Sequence, residues 1–166
     1  RLVLVRHGKS SWKHDLPDDQ RPLKKRGYSD AELVTNFYED FYTSPALFWV
    51  SPAVRASETA KIFKKHFMLP DDYFEVKDEL YTFEGSELLK VIKSCDDAVN
   101  RLFVFGHNPG LTNVANRVGD QYFENIPTTG LVVIDFETDH WEDLKSGKTI
   151  LQMLLRQESL GKGNEM

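Results

Sequence analysis

Four aliphatic residues in succession, Leu2-Val3-Leu4-Val5, run without a break into Arg6-His7-Gly8. Such a run suits a strand covered on both faces, as in a largely parallel sheet flanked by helices. Gly8 permits a sharp turn and close approach to a ligand at the strand's carboxyl end, where open α/β sheets bind their ligands. The pattern recurs twice. Leu47-Phe48-Trp49-Val50 leads into Ser51-Pro52 and a helical stripe of Ala56, Ala60, Phe63 and Phe67. Phe103-Val104-Phe105 ends at Gly106-His107-Asn108-Pro109-Gly110, with Leu111, Val114, Ala115 and Val118 following at helical spacing. Strands are expected at about residues 2–5, 47–50, 101–105 and 131–136, with an edge strand at 149–155 and a further strand plus one helix within 71–94. Alternating strands and amphipathic helices imply a three-layer α/β/α sandwich with a mainly parallel sheet.

The residues at these strand ends carry chemistry. An imidazole at position 7, beside the Arg6 guanidinium and followed by a glycine, is well placed to attack an anionic electrophile. Read alone, the tripeptide fits a loop-capping histidine equally well. Arg55 falls in or next to the first turn of the helix after Pro52, where the positive end of the helix dipole makes a cation unfavourable unless an anion neutralises both. His107 repeats the strand-end histidine. Two histidines and two arginines in matching contexts describe a pocket for a dianion.

The chain resembles the histidine phosphatase superfamily, and within it the small phosphohistidine phosphatases of the SixA type. The resemblance runs from Arg6 to about Phe136 and rests on Arg6-His7-Gly8-Lys9-Ser10-Ser11-Trp12, Arg21-Pro22-Leu23 with Arg26-Gly27, Ser51-Pro52 with Arg55-Ala56 and Thr59, Gly106-His107-Asn108-Pro109-Gly110, and Ile126-Pro127-Thr128-Thr129-Gly130. It implies a phosphoglycerate mutase-like fold, phosphorylation of His7 during turnover, and phosphoryl binding by Arg6, Arg55 and His107. Gly8, Ser10, Arg21 and Asn108 complete the expected phosphate and substrate contacts, with Arg21 at the pocket rim.

The chemistry agrees with that implication. A phosphoryl group in transfer spreads negative charge over three oxygens, so the protein must hold it in line and neutralise it. Nearby cations are expected to keep His7 neutral, and a backbone carbonyl in the following turn to hold its protonated nitrogen, leaving the other free to attack. His107, if protonated, would add a third positive centre. Water would then attack phospho-His7.

Two departures from the wider superfamily bear on the substrate. Where mutases carry a glutamate that protonates an alkoxide leaving group, this chain has Leu80-Tyr81-Thr82. Asp78, Glu79 and Glu84 lie near but not at the matching position. Lys13 stands where mutases place an asparagine. An imidazole leaving group needs less acid assistance than a sugar oxygen, so the expected substrate is phosphohistidine on a protein, with a histidine phosphotransfer domain as one candidate, and inorganic phosphate as product. The alternatives are a small-molecule phosphomonoesterase and a phosphoprotein-binding module without turnover. The short connection over 71–94 leaves little room for a lid, so an open cleft is expected.

Composition sets limits. At 166 residues the chain is about one domain's worth, expected to span 1–157 with a flexible tail over 158–166. A net charge of −5 argues against nucleic acid as a partner. The local runs Lys24-Lys25-Arg26 and Lys61 with Lys64-Lys65 read as solvated faces. Cys95 is the only cysteine, which excludes an internal disulfide and favours a cytoplasmic setting; on an apolar helix face it reads as packing. No stretch reaches membrane-span length and no signal peptide is visible, so no membrane partner is expected. No cofactor is expected either. A binuclear metal site would need carboxylates at the strand ends, whereas His7 and His107 sit there beside arginines. Ser29-Asp30-Ala31-Glu32 reads as a capping box opening a helix with Val34, Phe37, Tyr38 and Phe41 inward. Gly85-Ser86 opens another, burying Leu88, Leu89, Val91, Ile92 and Cys95. His14, His66 and His140 read as surface residues.

Overall fold

Successive side chains of a strand face opposite ways, so the aliphatic run of β1 (Leu2–Arg6) feeds two cores at once. Leu2 and Leu4 join Leu88, Ile92, Leu111 and Val114 on one side of the sheet. Val3 and Val5 join Val34, Tyr38 and Phe63 on the other. The computed structural model describes residues 1–13 and 15–155, so the 158–166 tail and His14 lie outside the described residues.

The sheet has six strands in the order β3-β2-β4-β1-β5-β6, where β2 is Leu47–Val50, β3 Phe74–Val76, β4 Leu102–Gly106, β5 Leu131–Asp135 and β6 Lys148–Met153. The pairs β2·β3, β2·β4 and β1·β4 are parallel; β1·β5 and β5·β6 are antiparallel. Helices α1 (Lys25–Tyr38) and α2 (Val54–Phe67) cover one face. Helices α3 (Gly85–Lys93) and α4 (Gly110–Val118) cover the other. This is the expected three-layer architecture with a mainly parallel sheet. No helix among the described residues is long and apolar enough to cross a membrane.

Strand order positions the site. β2, β4 and β1 are adjacent and parallel, so Ser51, His107 and His7 leave the sheet side by side at their carboxyl ends. The amide of His7 bonds Gly106 O at 3.3 Å, and that of Ser51 bonds Phe105 O at 3.0 Å, which extends the ladder one step past each strand.

Helix α1 begins earlier than the expected capping box. Its boundary is Lys24, in extended conformation, whose amide bonds Lys9 O at 2.8 Å. Ser29 is inside the helix with its hydroxyl donating to Arg26 O, and buried Asp30 pairs with Arg26 one turn back. Gly27, a poor helix former, masks the first turn in the sequence. Val34 and Tyr38 are buried as expected, while Phe37 and Phe41 are exposed. At the second expected helix, Glu84 caps α3 by accepting from the Ser86 and Glu87 amides; Leu88, Leu89, Ile92 and Cys95 are buried.

Gly27 is required by contact rather than conformation. A Cβ there would stand 2.6 Å from Lys9 O and 3.0 Å from Leu23 Cδ2. Gly27→Ala should therefore destabilise the fold by about 1–3 kcal/mol, although alanine is the better helix former by roughly 1 kcal/mol. The urea midpoint at constant m-value measures this, and a rise would refute it.

Candidate active site

Two imidazoles face each other across the β1–β4 junction, with ring centroids 5.3 Å apart. His7 is 7% exposed, His107 1% and Arg55 2%. His7 Nδ1 lies 2.8 Å from Gly8 O. A carbonyl only accepts, so Nδ1 carries the proton and Nε2 holds a free lone pair. The opposite nitrogen agrees, because Arg55 Nε donates to His7 Nε2 at 3.3 Å. The expected backbone carbonyl is thus Gly8's own.

Burial is the main reason His7 stays neutral. Desolvation outweighs the Gly8 hydrogen bond, His107, Arg55 and Arg6 add repulsion, and the pKa falls to about 3. His107 is held at about 3 as well, by burial first and then by Arg55. In the ligand-free cleft it is therefore neutral, not the third cation the sequence left open. Its Nε2 lies 2.8 Å from Ser51 Oγ, and its Nδ1 faces Arg55 Nη2 at 3.5 Å. A guanidinium cannot accept, so Nδ1 is unprotonated and Nε2–H donates to Ser51.

Arg55 is the second residue of α2, where an anion was expected to neutralise it. The chain itself supplies one. Arg55 Nη1 donates to Asp18 O at 2.6 Å and Nη2 to Asp18 Oδ2 at 3.0 Å. Asp18 also accepts from Tyr81 OH at 2.6 Å and, on Oδ1, from Arg21 Nε and Nη2 at 3.3 and 3.2 Å. Partial burial pushes its carboxyl upward, but the Tyr81 and Arg55 hydrogen bonds prevail and hold it at about 2. Asp18 lies three residues before Arg21 in a Pro-Asp-Asp turn that reads as an ordinary solvated one, so the sequence reading passed over it.

Of the other expected residues, Arg6 lines the cleft; its Nη1 donates to Ile126 O, and its buried Nε has no hydrogen-bond partner. Ser10 and Arg21 also line it, joined by an Arg21 Nη1 to Ser10 Oγ bond of 2.6 Å. Arg21 is buried, not at the rim, and stacks 3.6 Å from the centroid of the exposed Trp12 ring. Asn108 reaches the cleft, yet its amide nitrogen donates to Asn125 and Ile126 and its oxygen accepts from Thr112, so it fastens the 125–126 loop. Gly8 is a packing residue: its amide donates to Thr59 Oγ1, and a Cβ would meet Leu23 and Gly27 at 3.1 and 3.2 Å. Thr59 also donates to Arg55 O, tying the His7 turn to α2. Leu80 is core; Tyr81 and Phe83 pack against His107, with centroids 5.4 and 5.1 Å away. Glu84 is committed to its cap, and Asp18 is the one carboxylate among the described residues lining the cleft.

The cleft measures about 530 Å³ and opens between exposed Trp12 and Phe83. A mainly parallel α/β sandwich of this strand order has the phosphoglycerate mutase-like fold, and here it presents guanidiniums and neutral imidazoles at the ends of its central strands. Residues 2–95 match the family profile of the histidine phosphatase superfamily (branch 1), and the chain belongs to that superfamily, which supports a phosphatase. An uncharacterized Mycobacterium tuberculosis protein is 27% identical over 153 residues, covering 86% of this chain and 93% of that one. The protein histidine phosphatase SixA complexed with tungstate superposes with a TM-score of 0.75 at 20% identity, covering 92% of this chain and 96% of that one. A putative phosphohistidine phosphatase SixA from Agrobacterium tumefaciens gives 0.76 at 23% identity, over 93% and 97%.

Both imidazoles are neutral in the fold down to about pH 3, against an ordinary value of 6.5. As pH falls the unfolded chain takes up protons first. The stability contribution of these rings is complete above 6.5 and lost as pH drops from 6.5 toward 3, by up to roughly 1.4 kcal/mol per pH unit for each ring. Urea midpoints between pH 7.5 and 4 should show this slope, and His107→Asn should remove about half of it.

Proposed function

We propose that this protein hydrolyses phosphohistidine on a partner protein through a phospho-His7 intermediate. The observation that carries the reading is the fixed His7 tautomer, with Nδ1–H on Gly8 O and a lone pair on Nε2 beside the Arg55 guanidinium. Arg6, Arg55 and His107, which all line the cleft, would receive the phosphoryl oxygens. An arriving dianion reverses the balance at His107. It favours a proton on Nδ1, and the ring becomes a donor when the phosphoryl group is in place.

In the first displacement the His7 Nε2 lone pair bonds to phosphorus while the bond from phosphorus to the substrate nitrogen breaks, leaving its electron pair on that nitrogen. In the second, water attacks phosphorus and the P–N bond electrons return to Nε2. One water proton goes to solvent, and hydrogen phosphate is released.

Two features favour phosphohistidine over phosphomonoesters. Asp18, held ionised at about 2, has no proton to give an alkoxide leaving group. The cleft is framed by exposed aromatics, Trp12 and Phe83, which suits phosphate carried on a protein surface.

Incubation with a phosphohistidine peptide should form an acid-labile, base-stable phosphoenzyme. His7→Ala should abolish it and reduce turnover at least about a thousandfold, and Arg55→Ala should cost about 10²–10³ in kcat. A phosphoenzyme persisting in His7→Ala refutes the nucleophile. A strong preference for sugar phosphates refutes the substrate, and binding without turnover refutes catalysis.

A further inference from the structure

We propose, resting on the function above, that Asp18 is a specificity-determining residue that selects phosphoryl groups carried on a protonated nitrogen over those carried on oxygen. Arg55 joins the His7 ring to the Asp18 carboxylate. Arg55 runs from the floor of the cleft, where Nε meets His7 Nε2, to its mouth, where both Nη atoms are taken by Asp18. The Asp18 side chain is 45% exposed, whereas that of Arg55 is 3% exposed. A phosphoryl group seated on His7 needs Arg55's donors, and so it displaces the Asp18 carboxylate.

What the displaced carboxylate meets depends on the substrate. Phosphohistidine in its reactive form is a zwitterion: the phosphoryl oxygens are negative, and the ring, protonated on its far nitrogen, is positive. Its two ends replace the two halves of the Arg55–Asp18 pair, with the anion on Arg55 and the ring N–H on Asp18. A phosphomonoester supplies the anion alone, leaving Asp18 with Tyr81 and Arg21 but without Arg55, and facing a dianion. Separating an ion pair without replacing both partners is costly, and a like charge adds to the cost.

The same contact assists departure. Attack by His7 Nε2 drives the leaving nitrogen away from the floor, toward the mouth where Asp18 and Tyr81 stand. A carboxylate accepting the ring N–H favours the protonated form of the substrate. That ring departs as neutral imidazole, keeping its one proton and the electron pair of the broken P–N bond, so no proton moves in flight. Tyr81, donating to Asp18 Oδ2 at 2.6 Å, holds the carboxylate in position.

The test compares kcat/KM for a phosphohistidine peptide, for phosphoramidate and for 4-nitrophenyl phosphate in wild type and Asp18→Asn. Asparagine keeps the shape and removes the charge. The expected result is a fall of at least tenfold in the ratio of kcat/KM for each nitrogen-bound substrate to that for the aryl ester, and tighter inhibition by inorganic phosphate. Asp18→Glu should recover part of the discrimination. Equal losses on all three substrates would reduce Asp18 to a prop for Arg55 and overturn the proposal. If Asp18→Asn does not fold, Tyr81→Phe decides: it should shift the same ratio in the same direction by about threefold, and an unchanged ratio overturns the proposal. Wild-type enzyme inactive on the phosphohistidine peptide but active on the aryl ester would instead remove the substrate reading on which this inference rests.

Discussion

The buried guanidinium of Arg55 organises this molecule's working end. It sits in the first turn of α2, where the helix dipole already concentrates positive potential, and it touches His7, His107 and Asp18 together. A cation so placed is tolerable only with an anion at hand. That requirement links the Asp18 turn to the strand ends and pairs the guanidinium with a carboxylate. Thr59, one helical turn later, bonds both Arg55 O and the Gly8 amide, so the helix carrying the guanidinium is tied to the turn carrying the imidazole.

Electrostatics and burial divide the work. Desolvation keeps His7 and His107 uncharged, so the positive charge that touches them at the floor of the cleft is the guanidinium of Arg55. A neutral His7 can attack. On the proposed function, a dianion draws a proton to the Nδ1 of the neutral His107, which would couple phosphoryl binding to proton uptake. Ser51, the residue after β2, accepts from the far side of that ring and fixes which nitrogen faces the cleft.

The strand ends were legible because sheet residues obey a short period and because glycine and histidine after an aliphatic run mark a turn at a binding edge. Arg6, His7, Arg55 and His107 converge as their contexts implied. Local rules failed where distant contacts decide the outcome. Gly27 hides the start of α1, because its place in the first turn follows from the approach of Lys9 and Leu23 rather than from helix propensity. Gly8 and Asn108 adjoin the site, but their polar groups are taken by Thr59 and by the 125–126 loop. Asp18 was invisible for the opposite reason. Its turn looks solvated, and only the tertiary approach of Arg55, Arg21 and Tyr81 gives the carboxylate a function.

The free thiol of Cys95 is buried in the α3–α4 core, apart from the cleft, and burial pushes it up to about 12. The thiolate is the form that attacks peroxide, and here it is scarcely populated at neutral pH. On the proposed function, a phosphatase whose attacking atom is an imidazole nitrogen, and whose one thiol is so protected, offers peroxide no reactive cysteine. It would go on removing phosphate through a burst of oxidative stress that silences enzymes built on cysteine.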